Sequence, residues 1–126
     1  MSGVTYDAGA LLAAENNDRR MWALHARALS RSHTPTIPAG VLAQAWRGGP
    51  QPLLSRMVEG CAVESLDEAA ARLAGATAGR AGTSDVVDAS VVAGALRRGD
   101  AVVTSDRRDL EHLAQAVGRR LDLIVI

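Results

Sequence analysis

Three aspartates stand where the sequence predicts that strands end or helices begin. Asp7 follows the β-prone run Val4–Tyr6, and Asp106 follows the apolar run Ala101–Thr104, which is typical of a strand buried on both faces. Asp88 falls in the first turn of a predicted helix. Brought together, these carboxylates would form an anionic pocket of hard oxygen ligands, which suits Mg²⁺ or Mn²⁺ rather than Zn²⁺. Such an ion can hold a phosphate oxygen and activate a bound water for phosphodiester hydrolysis.

Each of these acids also has a simpler interpretation, because Asp is common at strand ends and helix caps. That interpretation is sufficient for four other acids: Asp18, Asp67, Asp85 and Asp109. Carboxylates crowded without a cation repel each other and hold some of their number protonated. No cluster of His or Cys has the spacing of a zinc site. The three histidines share no spacing and are expected at the surface or in loops: His25, His33 and His112.

The segment Thr83–Leu110 carries two of the three acids and predicts the elements that position them. Ser84 is expected to cap a helix in which Asp85 and Asp88, three residues apart, face the same way on the first turn. Gly99 is expected to end that helix before the buried strand begins. Asp88 and Asp106 would therefore lie near one edge of a sheet.

The rest of the chain alternates β-prone and helix-prone runs. Further strands are expected at Val4–Tyr6, Thr36–Ile37, Gly60–Glu64 and Leu121–Ile126, and further helices at Ala8–Ala14, Asp18–Leu29, Ala39–Arg47, Pro52–Val58, Glu68–Ala78 and from Asp109 to about Val117, with Gly79–Gly82 as a flexible loop. This alternation predicts one α/β domain, residues 1–126, with a parallel sheet. Sites in such sheets assemble at the carboxyl ends of the strands.

The composition excludes several classes of function. Acidic and basic residues number 14 each, so no global field indicates a nucleic-acid or membrane partner. The single Cys61 excludes an intramolecular disulfide and fits a reducing cytosol. No signal peptide or apolar run of membrane-spanning length is present. A cytoplasmic protein without a membrane partner is therefore expected.

Three segments in order resemble those of PIN-domain ribonucleases, specifically toxins of the VapC type from bacterial toxin–antitoxin pairs. They are VTYDAGALLA, TIPAGVLAQAWR and SDVVDASVVAGALRRGDAVVTSDRRDLEHLA. The resemblance implies a three-layer α/β/α sandwich around a parallel sheet, and an endoribonuclease whose quartet of acids binds Mg²⁺ or Mn²⁺. It also implies a homodimer and a small antitoxin whose peptide fills the active-site groove. Carried over by position, the metal-binding acids are Asp7, Asp88 and Asp106, with Asp85 and Asp109 as candidate auxiliary ligands.

The chain departs from the family pattern at the second acid, where Gln44 stands in place of the usual Glu. A Gln carbonyl can orient a water or coordinate weakly, but it contributes no charge. Ala8 and Gly9 also follow Asp7 where the family often has a small polar residue. Two interpretations stay open. One is an active nuclease in which the three aspartates hold the ion and Gln44 positions water or substrate. The other is a weakened or inactive PIN-like module that binds RNA or a protein partner.

A different Mg²⁺-dependent α/β protein, such as a phosphatase or a phosphoacceptor receiver domain, is a further alternative. Asp7 lacks the second Asp two residues on that an aspartyl-phosphate hydrolase would supply, and the chain has no Lys to contact a phosphoryl group. Both observations count against it.

The remaining candidates are aromatic and basic. Trp22 and Trp46 are expected to pack in helices rather than to stack on bases, with Trp46 pointing away from the pocket or lining its rim. Five arginines could hold RNA phosphates, or be solvated helix-face charges: Arg19, Arg20, Arg47, Arg107 and Arg108.

Overall fold

The computed structural model describes residues 3–126, in which short strands and helices alternate along the chain. The strands are β1 (Val4–Tyr6), β2 (Thr36–Pro38), β3 (Ala62–Glu64), β4 (Ala101–Thr104) and β5 (Leu123–Val125). The helices are α1 (Ala8–Glu15), α2 (Arg19–Ser30), α3 (Ala39–Ala45), α4 (Pro52–Glu59), α5 (Glu68–Ala81), α6 (Val86–Arg98) and α7 (Arg108–Ala116). No helix in this range is long and apolar enough to cross a membrane.

The five strands form one sheet in the order β3-β2-β1-β4-β5, and every neighbouring pair is parallel. Helix α1 packs against α2, α3 and α4, while α5, α6 and α7 pack against one another. The sheet lies between these two helical layers, so the predicted three-layer α/β/α sandwich with a parallel sheet is confirmed.

The two faces of β1 show why the sheet is covered on both sides. Thr5 and Tyr6 are fully buried and, as neighbours in a strand, point to opposite faces. The Thr5 hydroxyl lies 2.9 Å from the guanidinium of Arg98 on α6, whereas the Tyr6 hydroxyl lies 2.8 Å from Nδ1 of His25 on α2. The central strands are therefore sandwiched between helices, as their apolar sequences predict.

Helix α6 is fixed to the sheet by an ion-pair network at its C-terminal end. The Arg98 guanidinium donates to Glu64 at 2.6 Å and to Asp100 at 3.0 Å, and Arg97 also pairs with Glu64. Asp100 is buried, and Thr5 donates to it at 2.9 Å. Because these groups satisfy one another, Glu64 is neutralised although it ends a strand at the same edge as Asp7.

The predicted caps Asp18, Asp67 and Asp85 are confirmed, whereas Ser84 and Asp109 cap no helix, since α7 begins at Arg108 and Asp109 lies in its first turn. Asp18 and Asp67 accept from the backbone N–H of Met21 and Ala70, each at 2.9 Å. Ser84 does not cap α6. The N-cap is Asp85, one residue later, which accepts from the N–H of Asp88 at 3.0 Å.

Other boundaries also differ from the sequence prediction. Helix α5 continues through residues 79–81, where a flexible loop was expected, and ends only at Gly82, whose φ of 71° is readily adopted by glycine. Helix α3 ends at Ala45, two residues early, and β3 and β5 are each shorter than expected. Leu29, near the C-terminal end of α2, is 43% exposed.

The burial of His25 departs most clearly from the sequence prediction. A position at the surface or in a loop is expected, and the side chain is only 4% exposed. It packs edge-on against Trp22 as well as bonding Tyr6. Burial lowers the pKa of His25 below its ordinary value, so the imidazole is neutral at pH 7. A hydrogen-bonding partner on the facing strand is what makes this burial tolerable.

Candidate functional site

The three aspartates meet at one edge of the sheet because of its strand order. The chain passes outward from β1 to β2 and β3, then crosses back to β4 on the other side of β1. The carboxyl ends of β1 and β4 are thus the topological switch point, where parallel α/β sheets open a crevice for ligands. Asp7 follows β1 directly, and Asp106 lies two residues beyond β4. Asp88 joins them from the first turn of α6, which leads back towards β4.

Thr104 joins two of these acids. Its hydroxyl donates to Oδ2 of Asp7 at 2.5 Å and accepts from the backbone N–H of Asp106 at 3.1 Å. Thr104 is the last residue of β4 and is fully buried. A hydroxyl carries one proton, so donation to the carboxylate leaves its lone pairs for Asp106. The strand end therefore sets the position of both Asp7 and the loop that carries Asp106.

Gly9 allows α1 to begin close against that loop. A Cβ on Gly9 would lie 2.2 Å from Oγ and 2.9 Å from the backbone nitrogen of Ser105. In the first turn of the same helix, Asp7 is the N-cap and its Oδ1 accepts from the N–H of Ala10 at 3.3 Å. The absence of a side chain at Gly9 is what lets Asp7 and the loop after β4 approach each other.

Opposing effects act on the pKa of the Asp7 carboxyl. Burial is the largest and raises the pKa of its carboxyl, and the negative charge of Asp106 acts in the same direction. Hydrogen bonds from Thr104 and from the backbone at Ala10 and Gly9 lower the pKa, and the net result is a rise.

Asp88 lies in the most unfavourable electrostatic position of the group. Burial and the charge of Asp85, followed by the charges of Asp7 and Asp109, raise the pKa of Asp88 to about 6. Asp85 and Asp109 are exposed, and Asp88 is half-buried. Four acids therefore share one region of negative potential, which a cation would relieve.

The acids fit a hard divalent cation by donor type but are not preassembled around one. Within residues 3–126, no group of three or more His, Cys, Asp or Glu side chains stands in an arrangement that could hold a metal ion. One oxygen of Asp7 is occupied by Thr104, and Oδ1 of Asp106 accepts from the backbone N–H of Arg108 at 3.1 Å. Side-chain rotation would be needed for Asp7, Asp88 and Asp106 to share an ion.

Gln44 lies on the face of α3 that is directed towards α6. One turn earlier on that face, a Cβ on Gly40 would lie 3.3 Å from Cγ2 of Val87, the neighbour of Asp88. The Gln44 side chain is exposed and makes no hydrogen bond with the residues that the structure describes. The structure therefore leaves this amide available but does not join it to the aspartates.

The aromatic and basic candidates are distributed unequally. Trp22 packs as expected, donating its indole N–H to the carbonyl of Ala14 at 3.0 Å and lying under the Arg56 guanidinium. Trp46 is 42% exposed and lines an apolar groove between α3 and α4, so its expected packing is only partial. Two of the candidate arginines are engaged elsewhere, since Arg20 donates to the carbonyl of Val125 and Arg47 to carbonyls of its own turn.

Thr104 and Gly9 are the site residues that the sequence analysis missed. A hydroxyl at the last position of an apolar strand, two residues before an acid, is a signal that could have indicated Thr104. Gly9 gave no comparable signal, because its role depends on how closely α1 approaches Ser105.

Comparison with solved structures identifies the fold. The chain is similar to a chain in the crystal structure of VapBC2 from Rickettsia felis bound to a DNA fragment from their promoter, with a TM-score of 0.72 and 13% sequence identity over 98% of each chain. No protein-family model and no curated protein sequence matches it. The fold is therefore PIN-like, as the three segments predicted.

Proposed function

We propose that this chain is a single PIN-like domain, residues 1–126, which acts as a metal-dependent endoribonuclease of the VapC type. It hydrolyses RNA phosphodiesters with Mg²⁺ or Mn²⁺ and is the toxin of a toxin–antitoxin pair in the cytoplasm. The observation that carries this proposal is that Asp7, Asp88 and Asp106 lie at the switch point of a PIN-like sheet, where burial and neighbouring negative charges raise the pKa of Asp88 to about 6.

In the proposed mechanism, Asp7, Asp88 and Asp106 hold the ion, with Asp85 and Asp109 close enough to add negative charge. The chemistry that such an ion supplies is an activated water and neutralisation of the developing phosphate charge. The Asp88 carboxyl must lose its proton to bind the ion, so we expect the affinity for the cation to fall as the pH drops below about 6.

The other residues of the site act on position. Thr104 holds one oxygen of Asp7 and the backbone at Asp106, which limits the freedom of both acids before substrate binds. Gln44 lies on the facing side of α3 and orients water or the RNA through its amide.

The test is cleavage of total cellular RNA, which includes targets not known in advance. Wild-type protein should produce discrete fragments in Mn²⁺ and none in EDTA, and Asp88→Asn should reduce the rate by at least about 100-fold, since charge stabilisation in the site is lost. Intact RNA with the wild type, or equal cleavage by Asp88→Asn purified in parallel, would overturn the assignment.

A second candidate function is a weakened or inactive PIN-like module that binds RNA or a protein partner. It is favoured by the uncharged Gln44 and by the lack of a preassembled group of three acids within residues 3–126. Gln44→Glu discriminates between the two, since an added carboxylate should raise the cleavage rate or the Mn²⁺ affinity of a nuclease. Unchanged values of both would favour the module.

The proposed partners, besides RNA, are a small antitoxin and a second copy of this chain. The likeness to a chain of the VapBC2 crystal structure supports the antitoxin. Leu66 and Leu73, 50% and 44% exposed, line one cleft beside the edge strand β3, and this uncovered apolar surface supports the homodimer. Light scattering should give twice the chain mass, and Leu73→Asp should give the monomer. A monomeric wild type would contradict the dimer.

A further inference from the structure

A basic cleft runs along α7. It starts near the edge of the sheet that carries the aspartates and leads away from that edge. It has a volume of about 380 Å³ and lies between α7 and the segment before β5. Arg107, Arg119 and Arg120 line it, and Glu111 is the one acid among its described lining residues. The cleft therefore carries an excess of two positive charges, although the formal net charge of the whole chain is zero.

The arginines differ in how far they are already engaged. Arg107 pairs with Glu111 at 2.8 Å, with both side chains well exposed, so solvent screens that pair and an anion can compete for it. Arg119 and Arg120 are exposed, and neither forms an ion pair with the residues that the structure describes. Arginine presents a planar fork of donors that matches a phosphate bidentately.

One end of the cleft lies beside the candidate site in the chain. Arg107 directly follows Asp106 in the chain, and Gln115 lines the cleft eight residues further along. At about 1.5 Å per residue, the cleft follows α7 for roughly 12 Å from the aspartate edge. A polymer bound along α7 would therefore have one end beside Asp106, whereas a free anion or a separate small ligand would not need to reach it.

Other basic clefts lie elsewhere: Arg80, Arg97 and Arg119 line one with no acid among its described lining residues, and another lies at the opposite edge of the sheet. Arg27, Arg31 and His33 line a space of about 250 Å³ together with Val4, the first residue of β1. That residue marks the amino edge of the parallel sheet, opposite the edge where Asp7 lies. Positive charge alone does not distinguish these clefts, but the adjacency of Arg107 to Asp106 does.

We propose that the cleft lined by Arg107, Arg119 and Arg120 is the track for the RNA backbone, binding successive phosphates of a single strand whose next phosphodiester lies at the aspartates. This inference rests on the proposed function and adds the substrate-binding surface to it. Because arginine–phosphate contacts do not read bases, the track supplies affinity and direction rather than sequence specificity.

The test is fluorescence anisotropy with a labelled single-stranded oligouridylate of 12 nucleotides, titrated in EDTA so that divalent-ion cleavage is blocked. The binding constant is measured across salt concentrations for wild type and for the double variant Arg119→Gln/Arg120→Gln. Each lost phosphate contact lowers the salt slope by about 0.7 for single strands, so the double variant should lose about 1.4 from the slope and bind at least about 10-fold more weakly. Arg27→Gln/Arg31→Gln removes the same charge from the cleft at the amino edge of the sheet. The binding constant of this variant should stay within about twofold of that of the wild type.

Each outcome decides a separate claim. Equal losses in the two double variants, or no binding by the wild type, would overturn the track. If the wild type cleaves RNA but Arg119→Gln/Arg120→Gln binds the oligouridylate as the wild type does, the proposed RNA track is wrong and the nuclease assignment is kept. If the slope falls as expected but no protein cleaves RNA, the nuclease fails and the track stands. Tighter binding of polyglutamate than of the oligouridylate would assign the cleft to an acidic peptide instead.

Discussion

The hydroxyl of Thr104 donates a hydrogen bond of 2.5 Å to Oδ2 of Asp7, across the gap between two neighbouring strands. The Thr104 hydroxyl oxygen also accepts from the backbone N–H of Asp106. One buried side chain therefore fixes two acids that are 99 positions apart in the sequence. A threonine that the sequence presents as part of an apolar strand is thus the connection between the two sides of the switch point.

Thr104→Val should test that connection with little change of shape. The variant leaves the Asp106 N–H and one Asp7 oxygen without a partner, so we expect a loss of about 2 kcal/mol in the free energy of unfolding. The rate of RNA cleavage should fall by at least about 10-fold, because misplaced acids lose the advantage of orientation. Denaturant unfolding and cleavage assays measure the two effects. Thr104→Ser keeps the hydroxyl and should keep most of the activity, and wild-type activity in Thr104→Val would refute the role.

Gly9→Ala should destabilise the fold although it adds only a methyl group. The new Cβ would lie 2.2 Å from Ser105 Oγ and 2.9 Å from its backbone nitrogen, so the loop after β4 must move. We expect a cost of about 1–3 kcal/mol in the free energy of unfolding. Gly75→Ala is the matched control, because nothing lies within 4 Å of its Cβ in α5 and the change should stabilise by about 0.5–1 kcal/mol. Equal effects of the two substitutions would show that the close approach is absent.

Asp88→Asn should raise the stability of the metal-free protein at pH 7.5. The folded-state pKa of Asp88 is raised to about 6, so the folded protein binds more protons than the unfolded chain between about pH 4 and pH 6. The group's contribution to stability is therefore lost as the pH rises through that window. Since Asp88 is half-exposed, we expect a gain on the order of 1 kcal/mol in the variant, or roughly 4 °C in melting temperature.

Calorimetry in EDTA at pH 7.5 and 4.5 measures this gain, which should shrink at the lower pH as the wild-type carboxyl takes up its proton. Asp67→Asn makes the same chemical change at an exposed helix cap and should not stabilise. A gain that is equal at both pH values would contradict the proposed repulsion.

His25 should make the protein less stable in mild acid. Because burial lowers its folded-state pKa, the unfolded chain takes up a proton near pH 6.5 that the folded protein resists. Stability is therefore full above about pH 6.5 and falls as the pH drops below it. His25→Gln keeps a polar partner for Tyr6 but cannot titrate. The difference between wild type and variant in the free energy of unfolding, measured with urea, should therefore narrow towards pH 5.5. A constant difference would mean that the pKa of His25 is the same in the folded protein and in the unfolded chain.

The elements of the fold could be predicted because their signals are local. The apolar run of β4, the caps Asp18 and Asp67 and the αL glycine Gly99 each act within a few residues, and all are confirmed. Strand order could not be predicted in the same way. The pairing of β1 with β4 joins residues nearly one hundred positions apart, and no signal within either strand indicates it.

The candidate site shows the same division between local and non-local causes. Placing Asp7 and Asp106 after strands required only the strand assignments, whereas their connection through Thr104 required the register of β1 against β4. His25 was misjudged for a related reason. Its burial depends on the hydroxyl of Tyr6 on a facing strand, which no spacing within α2 indicates.

The central claim, that these aspartates form one divalent-cation site, is tested most directly by thermal melts with and without Mn²⁺ on wild type and Asp88→Asn. The quantity to compare is the metal-induced shift, since the two proteins differ in stability before metal is added. At one hundred times the dissociation constant, binding to the native state adds about 2.7 kcal/mol, which for 126 residues corresponds to on the order of 10 °C. We expect that shift in the wild type and its loss in Asp88→Asn. No shift in the wild type, or the same shift in both proteins, would contradict the claim.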